Sequence, residues 1–348
     1  MRDHVDLSAP ILHPAQPSAR VQVFDLHCDT LDRLALHDSF PEASFVEHDA
    51  HIPAERLMSL YDNDADVDLA RMSDYDLAQC FAIFVPDRIA PDSSWECFGK
   101  VLSFFNHQME AHASRVEQIR DCRSVQDAFA RGHAAAILTV EGASFMTSGL
   151  ERLMTCVDAG VKMITLTWNG PNAIASGNQT TNGLSSYGRI VVSAMEAHKV
   201  VVDVSHLNDQ SFWDVMEATS RPVAASHSNL RSVCGHPRNL TDEMFRAIVE
   251  RGGVVGLNYC PYFLVDEGTR DASPSDLLRH VDRMLSLGGE RAVCLGSDYD
   301  GCDAPEWIRP ASRVGWLHQL LTREFGADIA DAICFGNAAR FFADNEAI

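Results

Sequence analysis

The chain has 348 residues, 46% of them hydrophobic, which suffices for one large core of barrel size. Its 28 basic and 49 acidic side chains leave a formal charge of −21, which excludes a protein that follows nucleic-acid phosphates with a basic stripe. The 10 cysteines are scattered without a CxxC pair, which excludes a zinc-ribbon or thioredoxin-type motif and indicates a reducing compartment.

Residues 1–20 hold Pro10, Pro14 and Pro17 and read as an N-terminal arm. They lack a basic region followed by an apolar core, so no secretory signal is expected. No apolar run is long enough to span a bilayer, and the expected location is cytoplasmic, without a membrane partner. Residues 21–348 read as one domain. Eight short β-rich runs follow in order: Val21–Asp29, Leu77–Val85, Ala134–Gly142, Val161–Asn169, Val200–His206, Pro222–Ser228, Val254–Cys260 and Ala292–Asp300. Most are almost continuously apolar, as strands covered on both faces are. Between residues 32 and 73 a long charged stretch containing YDNDADVD reads as an irregular insertion with a helix near Pro53–Leu60. Helical patterns occupy Glu151–Ala159, Ser186–His198, Gln210–Thr219, Asp242–Arg251 and Ser275–Leu287, with Gly160, Gly252 and Gly288 at C-terminal cap positions. This alternation predicts an α/β fold, a (β/α)8 barrel of the TIM type, in preference to an open doubly wound sheet. Neither GxGxxG after the first strand nor GxxxxGK[ST] is present.

The polar residues fall at one end of these strands. Strand one ends in His27 and Asp29, strand three in Glu141, strand five in His206, strand six in His227, and strand eight in Asp298 and Asp300. Singly, each has a bland reading as a cap or a surface group. Together they meet on the C-terminal rim of a barrel, and burying so many charges calls for cations. Imidazole and carboxylate without thiolate suit Zn²⁺, Mn²⁺, Fe²⁺ or Co²⁺. Alternation along VQVFDLHCDT puts Asp25, His27 and Asp29 on one face and turns Cys28, beside Leu26, toward the barrel–helix layer. Asp25 and Asp203 are candidate acceptors for histidine N–H groups.

The motifs resemble those of the membrane (renal) dipeptidase family, binuclear zinc peptidases built on amidohydrolase-like barrels. DLHCD matches the family's DxHxD, and VEG at Val140–Gly142 its bridging-glutamate motif. DVSH at Asp203–His206 and SHS at Ser226–Ser228 match its later histidines. RSVCGHPRN (Arg231–Asn239) matches its substrate-arginine segment and GSDYDG its catalytic-aspartate loop. The resemblance runs from Asp25 to the GNAARFF segment. It implies two Zn²⁺ ions, with another divalent metal as the alternative. His27 and Asp29 would hold one ion, His206 and His227 the other, and Glu141 would bridge them. It implies Asp298 as the proton-handling residue, with Asp300 the alternative, and Arg238 as the holder of a substrate carboxylate. Some animal members carry a pocket histidine where Trp168 stands here. Asn169 is then a candidate hydrogen-bond donor to substrate and Trp168 a rim aromatic. The implied activity is hydrolysis of small dipeptides by a metal-bridging hydroxide, with tolerance of a D-residue at the C-terminal position, in a homodimer. Another amide, such as an N-acyl amino acid or a lactam, and a weakly catalytic binding barrel are the alternatives.

Overall fold

The computed structural model describes residues 20–36, 59–266 and 272–347. Nine parallel strands form one sheet: β1 (Gln22–Cys28), β2 (Asp76–Phe84), β3 (Val116–Gln118), β4 (Ala134–Glu141), β5 (Met163–Thr165), β6 (Val201–Asp203), β7 (Ala224–Ala225), β8 (Val254–Leu257) and β9 (Val293–Leu295). Pairing of β2 with β4, from Ala78↔Ala135 to Phe84↔Glu141, closes eight of them into the expected barrel. β3, absent from the eight expected runs, lies along Ala134–Ala136 of β4 before β5 takes over that edge.

The five expected helices are present, with boundaries set by capping side chains. Ser185, Asn208 and Thr241 each accept from a backbone N–H three residues on, and Ser273 forms a capping box with Asp276. Gly160, Gly252 and Gly288 take the left-handed φ of helix ends. The longest helix, Pro91–Ala111, buries Cys97, Val101, Phe105 and Gln108 on one face. The expected helix near Pro53–Leu60 lies, apart from its last two residues, outside the described residues, as does nearly all of the arm. Residues 59–75 form turns.

Alternation along the strands separates two cores. Ile137, Met163, Val201, Ala224, Val254 and Cys294 fill the barrel interior, while their neighbours Leu138, Ile164, Val202, Val255 and Val293 pack toward the helices. Phe341 and Phe342 of the C-terminal helix (Asn337–Ala347) close the interior cluster. Within β4, Glu141 follows Ile137 by four residues on the same parity, which carries the inward set to the C-terminal rim. β1 departs from strict alternation. Phe24 and Leu26 both belong to the interior and Cys28 to the helix layer. The pairing explains this: Asp25 sits opposite Gln79, but Cys28 opposite Phe81, so β1 carries one extra residue between them. This bulge re-aims His27 inward. Cys28 therefore faces where the sequence reading put it, but Leu26 does not accompany it.

Candidate metal centre

Five side chains, with Asp298 beside them, converge above the interior core. His27 Nε2 lies 3.5 Å from Asp29 Oδ2, 3.4 Å from Glu141 Oε2 and 4.0 Å from Asp298 Oδ1. Glu141 Oε1 lies 2.8 Å from His206 Nε2 and 3.4 Å from His227 Nε2. The Nε2 atoms of His206 and His227 are 3.0 Å apart, and the His27 and His227 rings stack at 3.8 Å. All of these residues are buried. Several strands end earlier than their apolar runs, at Asp203, Ala225 and Leu295, so His206, His227 and Asp298 stand on the loops just beyond them. His206 and Asp298 hold positive φ (67° and 62°), a conformation unfavourable for residues with a Cβ and concentrated at functional sites.

Hydrogen bonds to the far ring nitrogens fix the tautomers. Asn169 Oδ1 faces His206 Nδ1 at 3.0 Å and also accepts from Asn178 Nδ2 at 2.6 Å, so the His206 Nδ1 carries the proton. Ser226 Oγ donates to Asp203 Oδ2 at 2.5 Å and must accept from His227 Nδ1 at 2.7 Å. Asp203 also takes Thr165 Oγ1 and the Ser205 and Ser226 amides. Both neutral Nε2 atoms thus present lone pairs to each other and to the Glu141 carboxylate. His27 Nε2 and Asp29 Oδ1 are buried without any hydrogen-bond partner. Lone pairs and carboxylate oxygens aimed at one another repel unless a cation sits among them, and imidazole plus carboxylate is a donor set for a first-row divalent metal. The residues fit the group.

Electrostatics agree. Burial, then the neighbouring Asp29, pushes the Glu141 carboxyl well up. Burial lowers His206 and His227, helped by the His27 and Arg238 charges. For His27 burial also acts downward, but Asp29 and Glu141 outweigh it and hold the imidazolium above its usual range. On Glu141 and His27 protons take up charge that a metal would otherwise balance, while His206 and His227 stay neutral.

The other expected residues surround this cluster. Asp298 Oδ2 accepts from Asn258 Nδ2 at 3.0 Å, leaving Oδ1 toward His27. Asp300 is committed elsewhere: it accepts from Thr30 Oγ1 (2.6 Å), Arg33 Nη1 (2.5 Å) and the Asp66 amide (2.8 Å), with no exposed side-chain surface. Arg238 is buried. Its Nη1 donates to Ser228 Oγ and its Nη2 to the His227 carbonyl, while its Nε has no partner. Among the described residues no carboxylate forms a salt bridge with it. Trp168 stands edge-on to Phe84 at 5.6 Å and 6.2 Å from the His206 ring. Asn169, read from sequence as a donor to substrate, turns its oxygen to His206 and orients that ring. Asp203 reaches His227 through Ser226. Asp25 instead accepts from the backbone amides of His27 and Ser297 and touches no imidazole. Ser226, Asn178 and Asn258 were not legible as site residues. Ser226 alone had a signal, since it sits inside the SHS motif.

The family model described as "Membrane dipeptidase (Peptidase family M19)" matches residues 17–348. This chain belongs to that family. A dipeptidase described as a metallopeptidase of family M19 superposes with a TM-score of 0.83 at 26% identity, covering 95% of this chain and all of the other. A metallopeptidase from Rhodobacter sphaeroides, solved with a phosphinate mimic of the dipeptide L-Ala-D-Ala, gives 0.82 at 25% identity, covering 93% and 99%. An uncharacterized Acinetobacter calcoaceticus protein is 29% identical over 76% of this chain and 89% of its own length. The M19 chain is a peptidase on an amidohydrolase-like barrel. Among its described residues, no helix is long and apolar enough to cross a membrane.

Proposed function

We propose that this M19 peptidase is a zinc-dependent dipeptidase acting on small dipeptides and tolerating a D-residue at the C-terminal position. The observation that carries this reading is the buried Arg238 guanidinium, which has no carboxylate partner, beside a convergent set of imidazoles and carboxylates. A buried cation of that kind suits a substrate that brings its own carboxylate. Support for tolerance of a D-residue comes from the L-Ala-D-Ala mimic bound by the Rhodobacter sphaeroides relative.

His27 and Asp29 would hold one ion and His206 and His227 the other, with Glu141 between them. Bound there, the metals supply Lewis acidity toward the scissile carbonyl and lower the pKa of water. Arg238 binds the substrate's terminal carboxylate through its free Nε–H and the remaining Nη–H groups. Trp168 and Phe84 form an apolar wall beside His206. Asp298 Oδ1 receives the proton of the attacking water and returns it to the leaving amine. Asp300 is not available for that work, since Thr30, Arg33 and the Asp66 amide occupy it.

The test is a zinc-loaded preparation assayed on L-L dipeptides, L-D dipeptides and N-acyl amino acids, each with a chelator control, beside Asp298→Asn. Chelator-sensitive cleavage of both dipeptide classes is expected. Asp298→Asn should keep the metal content and lose about three orders of magnitude or more in kcat. Cleavage of acyl compounds alone would reassign the substrate, and normal turnover by Asp298→Asn would remove Asp298 from the mechanism.

A further inference from the structure

Asn258 is the first residue after β8 and has no exposed surface. Its amide orientation is fixed. Oδ1 accepts from the Cys260 amide at 2.7 Å, a partner that can only donate, so Nδ2 must be the atom facing Asp298 Oδ2 at 3.0 Å. Nδ2 also reaches the His227 carbonyl at 3.3 Å, the same oxygen that accepts from Arg238 Nη2 at 3.0 Å. The backbone of Asn258 is pinned in turn: its N–H donates to Asn229 Oδ1 and its carbonyl accepts from Asn229 Nδ2. The amide therefore sits in a rigid frame and engages one Asp298 oxygen only. The other, Oδ1, is left 4.0 Å from His27 Nε2 and above Gly301.

We propose that Asn258 is a positioning residue: it selects Oδ1 of Asp298 as the proton-handling oxygen, and through the His227 carbonyl it keeps that oxygen in register with Arg238. Among the described residues Asn258 Nδ2 is the one hydrogen-bond donor recorded for this carboxylate, which stands on a left-handed backbone. Without the Asn258 donor it would swing between its two oxygens, and misplacement at a proton-transfer step is costly. The inference rests on the role assigned above to Asp298.

Two variants separate positioning from a loop-building role. Asn258→Asp keeps an acceptor for the Cys260 amide and, when ionised at the alkaline end of the pH profile, cannot donate to Asp298, so kcat is read there. Asn258→Ala loses both. Purified with zinc, each is measured for metal content, Tm, and kcat and KM on a dipeptide. Positioning predicts that both variants lose kcat by about 10- to 100-fold with KM within about threefold, while metal content stays that of the unaltered protein. It further predicts that Asn258→Asp adds no loss in an Asp298→Ala background. Retained kcat in Asn258→Asp, loss of metal, or fully additive losses would each overturn the proposal. Asp298→Ala, measured alone, reports on the assignment of Asp298 independently: normal turnover there sinks that assignment, and this inference with it.

Discussion

Gly301 lies against the carboxylates of Asp29 and Asp298. A Cβ built on it would meet Asp29 Oδ2 at 1.9 Å and Asp298 Oδ1 at 2.6 Å. Both atoms are ends of side chains, so the backbone can accept the methyl group if the carboxylates move aside. Gly301→Ala should therefore keep Tm within about 2 °C, while metal affinity and kcat each fall by about 10-fold or more. A variant that is metal-replete and active, or one that simply unfolds, would contradict that account. His280 shows the opposite kind of buried polar residue, one wholly committed to structure. Its Nδ1 accepts from the Leu230 amide and its Nε2 donates to the Leu264 carbonyl. Burial lowers the imidazole from 6.5 to about 4. Between those two values only the unfolded chain takes the proton, so stability is full above pH 6.5 and is lost as pH falls toward 4. The difference corresponds to about 3 kcal/mol. Replacing the ring by Asn should make the urea midpoint less steep in pH across that window. Parallel slopes for the two proteins would exclude His280 as the source.

At the scale of elements, the far end of the barrel depends on the C-terminal helix. Phe342 lies parallel to Phe24 of β1, ring centroids 5.4 Å apart, and Phe335 adds a tilted contact at 6.2 Å. Cations hold the end of that helix: Lys199 Nζ donates to the Glu346 carbonyl and Arg221 Nη2 to that of Asn345, while Lys162 Nζ pairs with Glu346 Oε1 at 2.5 Å. Phe342→Ala should cost about 3–5 kcal/mol by urea unfolding. The kcat of the molecules that remain folded should be unchanged, because the plug and the metal centre sit at opposite ends of the barrel. An unchanged midpoint would mean that the helix does not close the core. The barrel itself was legible because buried parallel strands are apolar runs, and three of the helices between them are followed by glycine. The bulge in β1 was not legible, since neither Gly nor Pro marks it and the residues on either side suit a regular strand. The same limit hid the early ends of β6 and β9. Leu207, Val204 and Tyr299 continue the apolar pattern after the ladder has stopped, and only the backbone turn at His206 and Asp298 reveals the change. The charged YDNDADVD run proved to be held by its own loop and by the rim: Asp68 accepts from the Asn63 and Arg71 amides, and the Asp66 amide donates to Asp300.

For the whole molecule, the proposed metal centre would be a cross-link. Its proposed ligands come from β1 and the residue after it, β4 and the loops after β6 and β7, so one cluster of ions would join elements spread around much of the ring. A ligand that binds only the folded state stabilises it by RT ln(1 + [L]/Kd), about 2.7 kcal/mol when free metal is 100 times Kd. For a chain of 348 residues that corresponds to a Tm shift of about 4 °C. Chelation at neutral pH should lower Tm by that order, and added zinc should restore it. Protons compete for the same atoms. Burial and Asp29 push Glu141 up, and Asp29 and Glu141 together hold His27 above its usual range, so as pH falls the metal-free cluster fills with protons and its internal repulsion is relieved. The Tm difference between zinc-loaded and chelated protein should therefore shrink steadily from pH 8 to pH 6. A difference that is constant over this range would show that the bound metal is held by groups other than this titrating cluster. No difference at any pH would show that the barrel is equally stable without it.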